Sequence, residues 1–395
     1  MSSAPTGEAI RVLVDASALP PDRGGVGRYV DELVAALPRP GVEVAVIAQP
    51  RDQARFVALV GDHRVHLAPT WTTSRPARLT WEQTGLVALV RRLRPDVLLC
   101  PHYTMPMAVI GALRVPTVVT CHDATFFSHP EVHTPVKGRF FRTWIRVSAR
   151  LADAVVTPSE ATREEIIEYA GADPARLHAV PHGVDHERFR PPTAAEVDAA
   201  RAWAGVPEGT AYLAFLGTLE PRKNLPALVR AFVEVCRDRT DPPVLVLAGG
   251  KGWDDALDAA IAAVPPALTV LRPGFIPDDH VRGLLGGATV VTYPSLGEGF
   301  GLPVLEAMAC GAAVLTTPML SLPEVGGDAV AYAATPADDD IASCLATLLD
   351  DADLRDDLSR RAVARAAGFT WQACADGHVT VLQSVARTAD KGARR

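Results

Sequence analysis

The sequence predicts an α/β protein built from two doubly wound domains, each a parallel sheet covered by helices on both faces. Three observations predict it. Short β-branched runs alternate with segments of helical periodicity along the whole chain. A polar stretch bearing Pro191 and Pro192 separates two series of such runs, and 395 residues exceed one ordinary core.

In the first series, "IRVLVDA" (10–16), "VEVAVIA" (42–48), "DVLLCPH" (96–102), "TVVTCHD" (117–123), "AVVTPS" (154–159) and "LHAVPHG" (177–183) read as strands. In the second, "YLAFLG" (212–217), "VLVLAGG" (244–250), "LTVLRPG" (268–274), "TVVTYPS" (289–295) and "AAVLTT" (312–317) do the same. The polar, helix-like stretch between "HGVDHERFRPPTAAE" and "GVPEGTAYLAF" is read as the linker. Domain limits of 1–187 and 188–370 are expected, followed by a terminal helix and basic tail over 371–395, with the two domains meeting at a cleft.

Composition narrows the function. Hydrophobic residues make up 48% and charged ones 22%, so the chain is globular. A net charge of −7 gives no electrostatic case for nucleic acid as a partner. No apolar run of about 20 residues occurs, and "MSSAPTGEAIRVLVDAS" lacks a charged segment leading into an apolar one. A cytoplasmic location is expected. The six cysteines are scattered without a Cys-x-x-Cys pair, which indicates neither a zinc site nor a disulfide framework.

Ligands of such sheets bind outside the carboxyl ends of the strands, so the segments after each run carry the chemistry. "EGFGLPVLEAMACG" (298–311) reads as tight turn and helix, with Pro303 suited to the first helical position and Gly311 to the left-handed position that ends it. The backbone of Gly299, Phe300, Gly301 and Leu302 then faces an anion at a helix N-terminus. Glu298 in the turn and Glu306 one turn on can accept hydrogen bonds from a sugar diol. The alternative is that Glu298 caps the helix and Glu306 is a solvated first-turn acid.

In "GTLEPRKNLPALVRAF" (217–232), Leu225, Leu228, Val229 and Phe232 mark a helix face, with Asn224 as its N-cap. Arg222 and Lys223 stand just before it, two cations suited to a departing diphosphate. In the first half, "ALPPDRGGVGRYVDELVAAL" has a helix beginning near Gly25, with Gly24 and Gly25 in a turn that lets backbone approach a ligand. Its spacing is a poor match to a dinucleotide fingerprint. His122 and Asp123 end an apolar strand; His122 can bond a hydroxyl or act as a general base, whereas Asp123 can simply cap the next segment. His102 and His182 also end strands, and spacing does not rank the three. Asp338 and Asp340 in "PADDDIA" read as a helix-start acid cluster rather than a metal site.

Together, "GTLEPRKNL", "PSLGEGFGLPVLEAMACGAAVLTT" and "SLPEVGGDAV" resemble the retaining glycosyltransferases of family 4. "GGVGRY", "WEQTGL", "RPDVLLCPH", "HDATFF" and "TPSEATREEI" agree, so the resemblance covers nearly the whole chain. It implies a GT-B fold, two facing Rossmann-like domains with a C-terminal helix crossing back to the first. It also implies that Glu306 holds the nucleotide ribose, that Glu298 faces the donor sugar, and that Gly299 to Leu302 lie against phosphates and sugar. Arg222 and Lys223 match the basic pair that neutralises the diphosphate, in place of the divalent metal of other glycosyltransferases. No cofactor or metal is expected. His122 matches a histidine near donor sugar and acceptor, and Gly24 and Gly25 match a loop touching the diphosphate. His182 departs from the asparagine common in relatives.

The resemblance further implies a nucleotide-sugar donor and an acceptor that is a glycan, a lipid-linked glycan or a small molecule. The phrases look most like mannosyl- and rhamnosyltransferases of surface polysaccharide assembly, and GDP-mannose is the expected donor. "KGRFFRTWIRVSARL" carries Arg139, Arg142, Arg146 and Arg150 at helical spacing, so peripheral contact with the inner membrane face stands beside core packing with a solvated basic face. The competing classes are a sugar-nucleotide 2-epimerase of the same fold, an NAD-dependent oxidoreductase and a noncatalytic nucleotide-sugar binder.

Overall fold

A computed structural model describes residues 9–21 and 23–393. The chain divides into two compact units. The first comprises the described residues up to Gly183 and those from Trp371 onward, and the second is Val184–Thr370.

The first unit carries a seven-stranded parallel sheet: β1 (Ile10–Asp15), β2 (Val42–Ala48), β3 (Val65–Leu67), β4 (Val97–Cys100), β5 (Thr117–Thr120), β6 (Ala154–Thr157) and β7 (Leu177–Ala179), in the order β3-β2-β1-β4-β5-β6-β7. Strands β4, β5 and β6 are buried along their whole length, as expected of a sheet covered on both faces. Helix Pro135–Leu151 turns Phe141, Ile145, Ser148 and Ala149 into the core and leaves Arg139, Arg146 and Arg150 exposed. It is a packing helix, with the Arg146 guanidinium 4.8 Å from the Phe127 ring centre. Among the described residues no helix is long and apolar enough to cross a membrane.

The second unit repeats the plan with β8 (Tyr212–Leu216), β9 (Val244–Ala248), β10 (Val270–Gly274), β11 (Val290–Tyr293), β12 (Val314–Thr316) and β13 (Ala331–Tyr332), in the order β10-β9-β8-β11-β12-β13. In both sheets the strand order reverses beside the first strand, between β1 and β4 and between β8 and β11. These are the topological switch points, where the outward connections diverge and leave a crevice.

Several sequence expectations change. Strands β3 and β13 lie outside the runs read as strands. The stretch read as linker is the helix Ala194–Ala204, started by a capping box between Thr193 and Glu196 and packed on helix Asp278–Gly286. That packing is close: a Cβ on Gly283 would overlap the Glu196 carbonyl. The terminal helix Trp371–Ala393 runs into the basic tail, whose Arg394 and Arg395 lie outside the described residues. This helix seats on helix Gly24–Ala36, where Tyr29 Oη and His378 Nε2 are 2.8 Å apart. His182 belongs to the same cluster, its ring 4.6 Å from Tyr29 and 5.8 Å from Trp371.

Candidate active site

In the second unit, the loops after β8 and β11 meet at the switch point. Residues Pro221–Lys223 form a single 3-10 turn ahead of helix Leu225–Cys236, so the two cations sit in that turn rather than in the helix. Asn224 does not cap the helix with its side chain. It adopts the left-handed conformation (φ 56°) that Asn tolerates, and its amide donates to the Pro336 carbonyl at 2.8 Å.

Arg222 donates to the Gly297 carbonyl at 2.9 Å and to the Glu220 carboxylate at 2.7 Å, and it also pairs with Glu298. Lys223 donates to the other Glu298 oxygen at 2.7 Å and to the Tyr293 hydroxyl, its ammonium 4.8 Å from the centre of that ring. Sequence reasoning had not singled out Tyr293; its place at the end of β11 was the available signal. Both members of the central pair are buried, Lys223 and Glu298 each 6% exposed. Burial alone would raise the Glu298 carboxyl, but Arg222 and Lys223 outweigh it and hold it down to about 2. Burial and the adjacent Arg222 pull the Lys223 ammonium down from its ordinary value, opposed by Glu298.

Glu298 is therefore engaged with the two cations and does not cap helix Leu302–Ala309. Its backbone carbonyl is fixed by the Ser321 hydroxyl at 2.8 Å. Gly301, at φ 101°, supplies a left-handed turn that an L side chain resists, and Gly311, at φ 76°, ends the helix region as expected. Pro303 stands second in the helix rather than first. Gly299, Phe300, Gly301 and Leu302 are all buried in the turn. Glu306 is 2% exposed, so it is no solvated first-turn acid.

The β8 loop is further pinned by the loop after β9. The Gly217 and Leu219 N–H groups donate to the Ala248 and Gly250 carbonyls at 3.0 and 3.1 Å. A Cβ on Gly252 would overlap the Leu219 carbonyl. The result is two fixed cations held by two carboxylates, Glu220 and Glu298, at a strand-end crevice, an arrangement whose cations can turn to developing negative charge. Asp338 and Asp340 begin helix Asp338–Asp350, and Asp338 pairs with Arg230. Among the described residues no cluster of three His, Cys, Asp or Glu side chains could hold a metal.

In the first unit, His122 follows β5 and is 8% exposed, its Nε2 2.8 Å from the Pro101 carbonyl. Burial lowers its pKa while that hydrogen bond and Asp123 oppose the shift. Its ring lies 5.1 Å from Tyr29, on the helix that begins at Gly24. Gly24 (φ 49°) and Gly25 are exposed at the start of that helix. Asp123 accepts the Thr125 N–H at 3.2 Å, the capping role offered as its alternative. A buried acid overlooked in the sequence is Glu82, which takes hydrogen bonds from Arg78 at 2.9 Å and Thr104 at 3.0 Å.

Two doubly wound domains, the second with a basic pair set against Glu298 at its switch point, define the GT-B class of glycosyltransferases. The signature described as Glycosyltransferase Family 4 matches residues 23–188, and that of Glycosyl transferases group 1 matches residues 197–365. The D-inositol 3-phosphate glycosyltransferase of Kineococcus radiotolerans is 32% identical over 420 residues, covering 94% of this chain and 93% of the relative. O-antigen chain mannosyltransferase B of Escherichia coli is 32% identical over 264 residues, 65% of this chain and 67% of the relative. Among solved structures, Anabaena Alr3699/HepE in complex with UDP and glucose aligns with a TM-score of 0.70 at 20% identity, over 97% of this chain and 100% of that one, a likeness of fold. The chain belongs to glycosyltransferase family 4 and is an enzyme that transfers a sugar from a nucleotide sugar.

Proposed function

We propose that the enzyme moves mannose from GDP-mannose to a hydroxyl of a glycan, lipid-linked or small-molecule acceptor, with retention at the anomeric carbon. The observation that carries this reading is the Arg222–Lys223 pair at the β8–β11 switch point, Lys223 buried and Arg222 half-buried. In it, Arg222 and Lys223 offset the charge of the departing diphosphate without a divalent metal, and Gly299, Phe300, Gly301 and Leu302 lie against phosphates and sugar. Glu306 takes the ribose diol and Glu298 the donor-sugar hydroxyls. The first domain receives the acceptor, with His122 toward the reacting hydroxyl and Gly24 and Gly25 giving close backbone approach. The relative named as an O-antigen chain mannosyltransferase supports mannose.

A second reading, a UDP-sugar donor, is favoured by the similar fold seen in complex with UDP-glucose. Thermal unfolding with GDP, UDP, TDP and ADP, each with and without EDTA, separates the two. Ligand at about 100 times its dissociation constant stabilises by roughly 2.7 kcal/mol, a shift of several degrees. A rise with GDP that survives EDTA, followed by transfer of mannose, supports the proposal; a rise with UDP alone replaces the donor. No rise with any nucleotide refutes the site.

A further inference from the structure

The terminal helix Trp371–Ala393 reaches toward His122 through one side chain, His378. Its ring is fully buried, and burial pulls its pKa down to about 4, so it is neutral at ordinary pH. A neutral imidazole has one N–H and one bare nitrogen. The His378 Nδ1 lies 2.8 Å from the Cys374 carbonyl, which can only accept, so Nδ1 carries the proton. The Cys374 thiol, 3.7 Å from the same nitrogen, is the weaker contact.

Nε2 of His378 is therefore an acceptor, and the Tyr29 hydroxyl, 2.8 Å away, donates to it. Having given its one proton, Tyr29 Oη accepts from the Thr120 hydroxyl at 2.9 Å. The bonds run in one direction, from Thr120 through Tyr29 and His378 to the Cys374 carbonyl. All three side chains are fully buried, so losing one leaves its neighbour an unmatched polar atom. The seat of the helix is fixed as well, because a Cβ on Gly377 would lie 2.6 Å from the Val180 side chain just past β7.

This chain of bonds begins on the strand that leads to His122. Thr120 is the last residue of β5, two positions before that histidine. The Tyr29 ring meets the His122 ring edge to face, with centres 5.1 Å apart and planes at 79°. Burial favours the neutral form of His122, whose Nε2 donates to the Pro101 carbonyl at 2.8 Å. Nδ1 is then the ring nitrogen able to accept from a hydroxyl. One hydrogen bond leaves the tilt of an imidazole open. The flanking rings of Tyr29 and Tyr103, at 5.1 and 5.6 Å, set that tilt.

We infer that His378 is a positioning residue for sugar transfer: by accepting the Tyr29 hydroxyl it fixes the ring that orients His122. The inference rests on the reading that His122 stands toward the reacting hydroxyl. It gives the terminal helix a part in the chemistry of the first domain besides covering it. His378 acts through Tyr29 and is not itself a catalytic group.

Long-range proton–nitrogen NMR of the histidine rings in the full chain tests this, with His122→Ala and His378→Gln assigning the two signals. The wild-type spectrum should show the proton on Nδ1 of His378 and on Nε2 of His122. His378→Leu should shift the His122 ring signals, although no bond joins the two residues, and Tyr29→Phe should shift them the same way. The double variant should add nothing further, as expected of residues acting through one bond. His378→Gln, whose amide oxygen can still accept, should restore them. On the same proteins, nucleotide release from GDP-mannose and UDP-glucose should lose about tenfold in kcat in His378→Leu, with donor KM unchanged, and recover in His378→Gln. His122 signals unmoved by His378→Leu or Tyr29→Phe, or a folded His378→Gln as impaired as His378→Leu, overturns the inference. Tyr29→Phe, which keeps the ring, carries the test if His378→Leu does not fold. A wild-type melting temperature indifferent to GDP and UDP would refute the donor site instead, and the ring signals would still decide this inference.

Discussion

Replacing Glu298 with glutamine keeps the shape of the side chain and removes the charge that Arg222 and Lys223 share. In the native state that carboxyl is held at about 2 against an ordinary 4.5. One pKa unit corresponds to about 1.4 kcal/mol, so the charged form gains roughly 3 kcal/mol from its surroundings. The group is buried, so solvent screening takes little from this figure. The sign follows from a depressed acid pKa. The stabilisation is fully present above about 4.5 and is lost as pH falls toward 2, with roughly 1 kcal/mol remaining near pH 3. Lys223, left buried without its acid, can shed its proton and recover part of the cost. Differential scanning calorimetry at pH 7 should show the transition of the second domain lowered by roughly 6–12 °C in Glu298→Gln, with a smaller gap in acid. A variant that melts within about 1 °C of wild type at pH 7 would refute the charge cluster as a source of stability.

Three further outcomes are expected. Glu82 is raised to about 7, chiefly by burial and then by Asp15, so the folded state holds its proton more tightly than the unfolded chain. Stability of the first domain should fall by up to about 3 kcal/mol between pH 4.5 and 7, and urea midpoints of Glu82→Gln should lose most of that slope. Tyr293→Phe removes a hydroxyl that accepts from the buried Lys223 ammonium, and should cost about 1.5–3 kcal/mol in urea unfolding of the second domain. Gly252→Ala forces a methyl into the Leu219 carbonyl and should cost roughly 1–3 kcal/mol by the same assay, with weaker nucleotide binding because the Arg222–Lys223 turn follows that carbonyl.

The longer strands were legible because they are β-branched runs bounded by turn residues, and the alternation with helices gave the two sheets. Strands β3 and β13, of three and two residues, are too short for a period to register. The helix Ala194–Ala204 was legible as a polar, helix-like stretch, with Thr193 and Glu196 carrying a readable start signal, but its small side chains gave no sign that it packs into the second domain rather than linking the two. In the candidate site, Arg222, Lys223, Glu298 and Glu306 were visible as residue types at strand ends. Their pairing was not, since Lys223 and Glu298 are separated by 75 residues and meet only because β8 and β11 are neighbours. Tyr293 read as part of a buried run, and Glu82 as one letter of a motif. Their roles rest on which polar atoms face them, which periodicity does not encode.

The second domain is an uninterrupted segment whose ends meet, with the Val184 N–H donating to the Phe369 carbonyl at 3.2 Å. The first domain, by contrast, waits for Trp371 and the helix beyond to cover Tyr29 and Val180. Synthesis on the ribosome thus delivers the domain inserted second as a finished body while the domain begun first still lacks one wall. An early stop within that helix, far in sequence from β1, would strand the earlier-made of these two domains in an unfinished, aggregation-prone state while leaving the later-made one intact.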